Sequence, residues 1–388
     1  MVSGGVDSSV AAALLKDEGY DVTAIFMKCW SLSQLEKLGV SPDLYGCFWE
    51  DDAKDAEVVA KKIGIPFEIW DFQDEYFEKV VNYMVEEYKM GRTPNPDVMC
   101  NSTIKFGIFF EKAKQRGADF VATGHYAGRS TYHGYEVITK GKDEKKDQSY
   151  FLWRVSQEKI PSILFPLSQF EHKSEVRNIA EQKGLITAKK PDSQGLCFIG
   201  TTPLREMLTQ VFGKKSGEIV TANWEKAAGA KRLTKKDTLQ FNKTGYVTIG
   251  QHDGAALYTI GQRNNLKLGG GPWFVYQNDV LNNRVVVQHG EQKNSLLASE
   301  IIINNINLHI PFSSLKLDKN GLFHCEGQIR YHGEMVACAI HFLTDENGLA
   351  NSAKVTCKTP VHSVANGQGF VFYDGEVMLG GGVIAASH

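Results

Sequence analysis

The sequence predicts an α/β chain: a parallel sheet covered by helices, then a small β-rich central unit, then an antiparallel β-barrel. Three observations predict it. Through the first two hundred residues, apolar strand-like runs alternate with helix-length amphipathic segments, the pattern of parallel strands covered on both faces. Beyond about residue 200 that alternation gives way to short β-rich segments broken by turn signals. At 388 residues the chain is also too long for a typical single domain, and the expected units are 1–200, 201–271 and 272–388.

The elements follow in order. Ser3-Gly4-Gly5-Val6-Asp7-Ser8-Ser9 runs directly into the helix formers Val10-Ala11-Ala12-Ala13-Leu14-Leu15-Lys16. Two glycines let the backbone curl close to a ligand, and Asp7 and Ser8 read as helix caps. A glycine-rich turn at a helix N-terminus aims backbone donors and the positive dipole end at one spot, which suits phosphate. The Lys and Ser/Thr of a Walker A loop are missing. Residues 22–27 read as a buried strand, 51–63 as an amphipathic helix, 66–70 as the next strand, 73–89 and 104–116 as helices, and 118–123 as a strand ending at Gly124-His125. Ligands of such sheets sit beyond the carboxyl ends of the strands, so Met27, Gly124 and His125 share a rim with the Ser3–Ser9 loop. From Gly217 onward, 238–249 and 256–260 read as β, with basic residues between them. Gly269-Gly270-Gly271-Pro272 reads as a linker, and 273–386 as many short strands with turns at Asp318-Lys319-Asn320-Gly321 and Asp345-Glu346-Asn347-Gly348.

Hydrophobic residues make up 42% and charged residues 23%, ordinary for a soluble globular protein. No apolar run reaches bilayer-spanning length, and no basic-then-apolar leader is visible, so a soluble intracellular protein with no membrane partner is expected. A net charge of −2 leaves nucleic-acid binding to local patches. Lys140, Lys142, Lys145 and Lys146 form one; Lys226, Lys231, Arg232, Lys235, Lys236 and Lys243 form another, and a solvated face is the equal alternative for either. Seven cysteines at 29, 47, 100, 197, 325, 338 and 357 include no Cys-x-x-Cys pair, against a secreted disulfide framework and against a zinc site. No resident metal is expected.

Two cysteines have informative neighbours. Arg92-Thr93-Pro94-Asn95-Pro96-Asp97-Val98-Met99-Cys100-Asn101 is a loop stiffened by two prolines. Cys100 lies near the expected start of the 104–116 helix, where the dipole favours a thiolate, and Asp97 is a carboxylate able to move protons beside it. A rigid connection holding a buried cysteine fits this stretch equally well. Cys197, in Lys190-Pro191-Asp192-Ser193-Gln194-Gly195-Leu196-Cys197-Phe198-Ile199-Gly200, follows a turn-rich segment and reads either as a loop thiol or as a buried strand cysteine.

The first heptapeptide resembles the PP-loop of ATP pyrophosphatases. Taken with PNPDVMCN at 94–101, ATGHYA at 122–127, KDQSYFLW at 146–153, GLCFIG at 195–200 and YTIGQR at 258–263, the series resembles the tRNA-specific 2-thiouridylase family along essentially the whole chain. The resemblance implies a PP-loop, adenine nucleotide alpha hydrolase-like catalytic domain, a central tRNA-contacting domain and a C-terminal barrel. It implies that ATP, with Mg2+, adenylates O2 of the wobble uridine (U34), and that sulfur from a cysteine persulfide replaces that oxygen. It assigns ATP contact to Ser3, Gly4, Gly5, Val6, Asp7, Ser8, Met27 and Gly124. Cys197 is implied as the persulfide carrier and Cys100 as the second catalytic cysteine, either attacking directly or releasing sulfide through a transient disulfide with Cys197. Asp97 is implied as the proton shuttle, and tRNA contact falls to Asn95, Pro96, Asp97, His125, Lys146, Asp147, Gln148, Arg330, Tyr331 and Gln368. Implied partners are wobble-uridine tRNAs for Lys, Glu and Gln, and a sulfur-relay protein or cysteine desulfurase, in the cytoplasm or an organellar matrix.

Two departures from the family pattern accompany this. A short apolar strand normally precedes the SGG turn, whereas here only Met1-Val2 does, so the expectation is either a truncated start or a sheet lacking the element that positions the loop. Asn264-Asn265 stands where Lys-Gly is more usual. The alternatives are a catalytically impaired tRNA-binding homologue without that first strand, or another PP-loop adenylating ligase.

Overall fold

The computed structural model describes residues 1–41, 49–192, 204–222, 245–290, 296–344 and 350–388. The first segment runs α1 (Val6–Asp17), β1 (Ala24–Lys28), α2 (Leu32–Lys37), α3 (Trp49–Ile63) and β2 (Phe67–Asp71). A continuous helical run follows: α4 (Gln73–Tyr76), a π-helical stretch (Phe77–Asn82) and α5 (Tyr83–Lys89). Next come α6 (Pro96–Met99), a second π-helical stretch (Cys100–Ile108), α7 (Phe109–Gln115), β3 (Val121–Ala122), the hairpin β4 (Ala127–Tyr132) and β5 (Tyr135–Lys140), β6 (Ile163–Leu164) and α8 (Lys173–Gln182).

β1 pairs with β2 in parallel, from Ala24 opposite Phe67 to Lys28 opposite Asp71, and β3 pairs with β6 in parallel. The parallel sheet expected from the alternating pattern is therefore present. The expected gap before the SGG turn is held by the first two residues. Val2 bridges Phe26 in parallel, its N–H donates to the Ile25 carbonyl at 2.9 Å, and the Met1 amine donates to the Ala122 carbonyl at 2.8 Å. Met1 and Val2 thus tie the two strand pairs together, beside a cavity of about 620 Å³ walled by Ala11, Leu15, Ile25, Phe109 and Val121.

α9 (Leu204–Phe212) leads to the central unit, where β7 (Gly217–Thr221), β8 (Val247–His252), β9 (Trp273–Asp279) and β10 (Arg284–His289) lie in the order β8-β7-β10-β9. Two expectations are corrected here. Residues 256–260 are not a strand: a single 3-10 turn, Ala255–Leu257, sits there, between Gly254 and Gly261, whose positive φ values of 151° and 82° break extended pairing. Gly269-Gly270-Gly271-Pro272 is a turn inside the four-stranded sheet, because β9 and β10 follow it, so the expected division at 271/272 falls within that sheet.

The last segment is β11 (Leu297–Leu308), β12 (Phe323–Gln328), β13 (Val336–Thr344), β14 (Ala350–His362), β15 (Gly369–Asp374) and β16 (Val377–Ser387). These six antiparallel strands close, with β11 pairing to both β14 and β16. Along β13, buried and outward residues alternate, the period-two signature that marked this region in the sequence. Ile301, Ile303, Ile340, Val355, Phe370 and Phe372 fill the interior with no measurable exposure. β5 joins the outside of β16 at Thr139 opposite Val377, so a hairpin from the first segment extends the barrel's sheet.

His309 is buried where the barrel meets the first segment, its Nε2–H donating to the Trp153 carbonyl at 3.1 Å. Burial lowers its pKa from 6.5 to about 4, against weaker opposing hydrogen bonds from nearby backbone. The unfolded chain therefore binds the proton more tightly, and stability is complete above 6.5 and lost as pH falls towards about 4. A loss on the order of 3 kcal/mol is expected across that window. Denaturant midpoints should fall with acidification in the native protein and flatten in His309→Gln, which keeps a donor without the titration.

Candidate functional site

The site grows from the turn before α1. Gly5 is the N-cap and α1 starts at Val6, so Asp7 and Ser8 lie in the first turn rather than capping it as expected. Gly4 has φ +72°, and a Cβ there would come within 2.3 Å of the Asp52 carbonyl oxygen, so no side chain fits. The Ser8 hydroxyl accepts from the Ser3 N–H at 3.1 Å and lies 3.2 Å from the Ser3 hydroxyl; the Ser9 hydroxyl donates to the Gly5 carbonyl at 2.7 Å. From the end of β3, Gly124 presses on the same turn: a Cβ there would lie 2.7 Å from the Ser8 nitrogen. Ser3, Gly4, Gly5, Val6, Asp7, Ser8 and Gly124 therefore form one cradle, floored by backbone at a helix start. Met27 is 2% exposed, near the end of β1.

Asp7 is the only charged side chain of that loop, and two groups from distant sequence hold it. The Tyr126 hydroxyl donates to one carboxylate oxygen at 2.9 Å and the Lys173 ammonium to the other at 2.8 Å. Burial and the Asp7 charge push the Tyr126 hydroxyl far above its usual pKa. Asp192, three residues before the GLCFIG stretch begins at Gly195, accepts from Lys173 at 2.7 Å and from Lys146 and Arg177 at 2.9 Å each. Its burial would raise the carboxyl, but those ammonium partners bring it down to about 2. Lys190 reaches the other way, to Asp52 at 2.7 Å and Asp55 at 2.6 Å on α3.

KDQSYFLW is occupied internally. Lys146 holds Asp192, the Asp147 carboxylate accepts from the Gly141 and Ser149 N–H groups at 2.9 and 3.0 Å, and Gln148 accepts from the Tyr126 N–H at 3.0 Å. The Asp147 carboxyl is raised by burial. His125 lies between Phe106 and Phe165 with Nδ1 at 2.7 Å from the Thr123 hydroxyl; burial and the Lys105 charge hold its pKa well below 6.5, which keeps the ring neutral at physiological pH.

In the proline loop, Asn95 caps a helix that starts at Pro96, its side chain accepting from the Val98 N–H at 3.2 Å. The helix expected from residue 104 thus begins eight residues earlier, and Cys100 lies beyond its first turn, where the dipole effect has faded. Cys100 is completely buried and opens the π-helical stretch; Ser102 and Thr103 hydroxyls donate back to the Val98 and Met99 carbonyls at 2.9 and 2.7 Å. Asp97 is half-buried in the first turn. The loop before Asn95 is where three parts of the molecule meet. The Thr93 N–H donates to the Asn366 carbonyl at 2.7 Å, Gln368 donates to the Thr93 and Pro94 carbonyls at 2.9 and 3.2 Å, and the Thr93 and Thr259 hydroxyls bond at 3.1 Å. Thr259 belongs to YTIGQR. Tyr331, on the β12–β13 turn, stacks on Phe151 at 4.3 Å, while Arg330 beside it is exposed.

Cys197 lies outside the described residues, and so do its pairing with Cys100 and the basic residues Lys226, Lys231, Arg232, Lys235, Lys236 and Lys243. Among the described residues no group of three His, Cys, Asp or Glu could hold a metal ion, and no helix is long and apolar enough to cross a membrane.

Comparison with known proteins places this geometry. The family described as tRNA methyl transferase HUP domain matches residues 1–201, the tRNA methyl transferase PRC-barrel domain matches 230–289, and the aminomethyltransferase beta-barrel domain matches 298–384. The tRNA-specific 2-thiouridylase MnmA of Listeria welshimeri is 40% identical over 99% of this chain and 93% of its own length. That of Staphylococcus epidermidis is 41% identical with the same coverage. The chain belongs to the tRNA-specific 2-thiouridylase family. The resemblance carried by the six motifs holds, and the matched order of HUP domain, PRC-barrel and β-barrel agrees with the parallel sheet, the four-stranded sheet and the closed barrel. What the family motifs did not single out are Tyr126, Lys173 and Asp192, although each touches the cradle or its counter-charges. Tyr126 carried a signal, being inside ATGHYA; Lys173 carried none, since it is one lysine among many on a helix.

Proposed function

We propose that this protein is an ATP-dependent tRNA sulfurtransferase that converts the wobble uridine U34 to 2-thiouridine. The observation that carries this reading is alignment of 99% of the chain with curated 2-thiouridylases at 40% identity. The start of α1 supports it chemically, because Gly5 caps the helix without a side chain and leaves the N–H groups of the first turn with no side-chain cap.

The C2 carbonyl of uracil is stabilised by resonance and loses its oxygen poorly. Attack of O2 on the α-phosphorus of ATP forms the O–P bond and breaks the bond to the β-phosphate, so pyrophosphate leaves and C2 acquires AMP as a leaving group. Ser3, Gly4, Gly5, Val6, Asp7, Ser8 and Gly124, with Met27, would bind the nucleotide, and the N–H groups at the start of α1 would stabilise the departing pyrophosphate. Mg2+ would arrive with the nucleotide and neutralise phosphate charge; Asp7 is the carboxylate of the turn, and both its oxygens accept from protein donors, Tyr126 and Lys173. The terminal sulfur of a Cys197 persulfide then attacks C2 and AMP departs, leaving the base joined to Cys197 through an S–S bond. The Cys100 thiol attacks the Cys197 sulfur, which forms the Cys100–Cys197 disulfide, breaks that S–S bond and releases the thiolated base; a thiol reductant reopens the disulfide. Asp97 would shuttle the proton, with Asn95 and Pro96 shaping the pocket for the extruded base. Extrusion costs a few kcal/mol, least for a base already single-stranded. His125, Lys146, Asp147, Gln148, Arg330, Tyr331 and Gln368 are proposed tRNA contacts. Of these, exposed Arg330 is best placed for phosphate, whereas Lys146, Asp147, Gln148 and Gln368 have partners within the protein.

The proposed partners are tRNAs for Lys, Glu and Gln and a sulfur-relay protein or cysteine desulfurase, in the cytoplasm or an organellar matrix. An impaired tRNA-binding homologue and another PP-loop adenylating ligase are not favoured, since neither gives Cys100 and Cys197 work. Nucleoside mass analysis of tRNA incubated with the protein, ATP, magnesium, a cysteine desulfurase and cysteine should show 2-thiouridine at position 34. Unmodified tRNA from protein that binds ATP would remove the proposal.

A further inference from the structure

We propose that Lys173 is a phosphate-binding residue of the ATP site: its ammonium faces the cradle across Asp7 and contributes charge that the glycine-rich turn itself lacks. The inference rests on the reading of that turn as an ATP cradle.

Four observations carry it. The turn from Ser3 to Ser9 contains one carboxylate and no cation, so unaided it would set a negative charge against a polyphosphate. Lys173 lies 2.8 Å from the Asp7 carboxylate and 2.7 Å from Asp192, and only 15% of its side chain is exposed. Its approach is fixed from both sides: the Lys173 N–H donates to Asp143 at 3.2 Å, and the ammonium lies 5.7 Å from the centre of the Tyr126 ring, whose hydroxyl holds the other oxygen of Asp7. Finally, Lys173 is the first residue of α8, where the dipole disfavours a cation, so local helix energetics do not account for a lysine there.

The surrounding charges are arranged for exchange rather than for simple pairing. Besides Lys173, Asp192 accepts from Lys146 and Arg177, at 2.9 Å each. Lys173 can therefore turn towards a phosphate oxygen without leaving Asp192 bare. A lysine serves here as a compact point charge on a flexible stem, following the phosphates as pyrophosphate separates.

The test uses full-length protein and separates ATP affinity from turnover. Calorimetric titration of magnesium-ATP without tRNA should show Lys173→Gln binding about tenfold to a hundredfold more weakly than the native chain, with Lys173→Arg recovering part of the loss. The ATP-induced rise in melting temperature should shrink in the same order. Lys183→Gln removes an ion pair with Asp17 at the far end of the same helix and should leave both readouts unchanged. A purely structural role predicts a lower melting temperature in Lys173→Gln with native ATP affinity, and that result overturns the inference. If Lys173→Gln does not fold, native ATP affinity in Lys173→Met or full ATP affinity in Lys173→Ala does the same. Lys173-dependent ATP binding without any 2-thiouridine would instead sink the sulfur-transfer reading and leave this one standing.

Discussion

Cys197→Ala should still release pyrophosphate from ATP in the presence of tRNA and should form no 2-thiouridine. The two halves of the reaction use different atoms. In the proposed mechanism adenylation uses O2 of the base, the α-phosphorus and the cradle around Gly4, Asp7 and Gly124, none of which involves a thiol. Sulfur arrival needs a persulfide, and alanine cannot carry one. The adenylated uridine should then return slowly to uridine by hydrolysis, so ATP is consumed with no lasting product. Pyrophosphate release and nucleoside mass analysis on the same sample distinguish the two halves. Thiolated tRNA from this variant would show that the sulfur travels by another route, whereas loss of pyrophosphate release would show that Cys197 also shapes the ATP site. Cys100→Ala offers a second reading: if Cys100 resolves the persulfide, the first turnover is impaired even with pre-loaded Cys197.

Asp7→Asn should fail one step earlier. The amide retains an acceptor for the Tyr126 hydroxyl, now at 2.9 Å, and loses the charge that holds Lys173 at 2.8 Å. Adenylation should fall by roughly a hundredfold or more, the scale of losing one preorganised electrostatic contact to a developing phosphate charge. Folding should change little, because the amide keeps the Tyr126 contact and the lost ion pair, partly exposed and screened by solvent, contributes about 0–1 kcal/mol. Pyrophosphate release within a few fold of native, at unchanged melting temperature, would show that this carboxylate is only structural.

Much of this arrangement was readable in the chain before folding, and the exceptions have identifiable causes. The helix at Gln73 to Lys89 and the strands at β1 and β2 were legible because their apolar spacing is local and strong. The start of the helix at Pro96 was also legible in principle: Asn95 followed by proline and Asp97 is a cap, a favoured first position and an acidic first turn. It was missed because the two prolines read as a stiff loop. Residues 256–260 misled in the opposite way, an apolar run with β-like composition confined between glycines at positive φ. The hairpin β4–β5 gives no sign in sequence that it will add to a barrel more than two hundred residues away, at Val377. The same distance hides the partners of Asp7: Tyr126 and Lys173 lie 119 and 166 residues from it, and only folding makes them neighbours. The glycines of the cradle were recognisable because their demand is steric and local; the charges that complete it were not, because charge acts through space.

The junction at Thr93 and Pro94 changes how a loss of the barrel should be understood. Asn366 and Gln368 hold the main chain at Thr93 and Pro94, just before Asn95, and Thr259, on the connection between β8 and β9, grips the same spot. Trimming the C-terminal domain would thus slacken the loop proposed to receive the base, and under that proposal a shortened enzyme would misplace its substrate rather than merely hold it less tightly. Excess tRNA should not compensate such a defect, since saturation cannot restore a pocket wall.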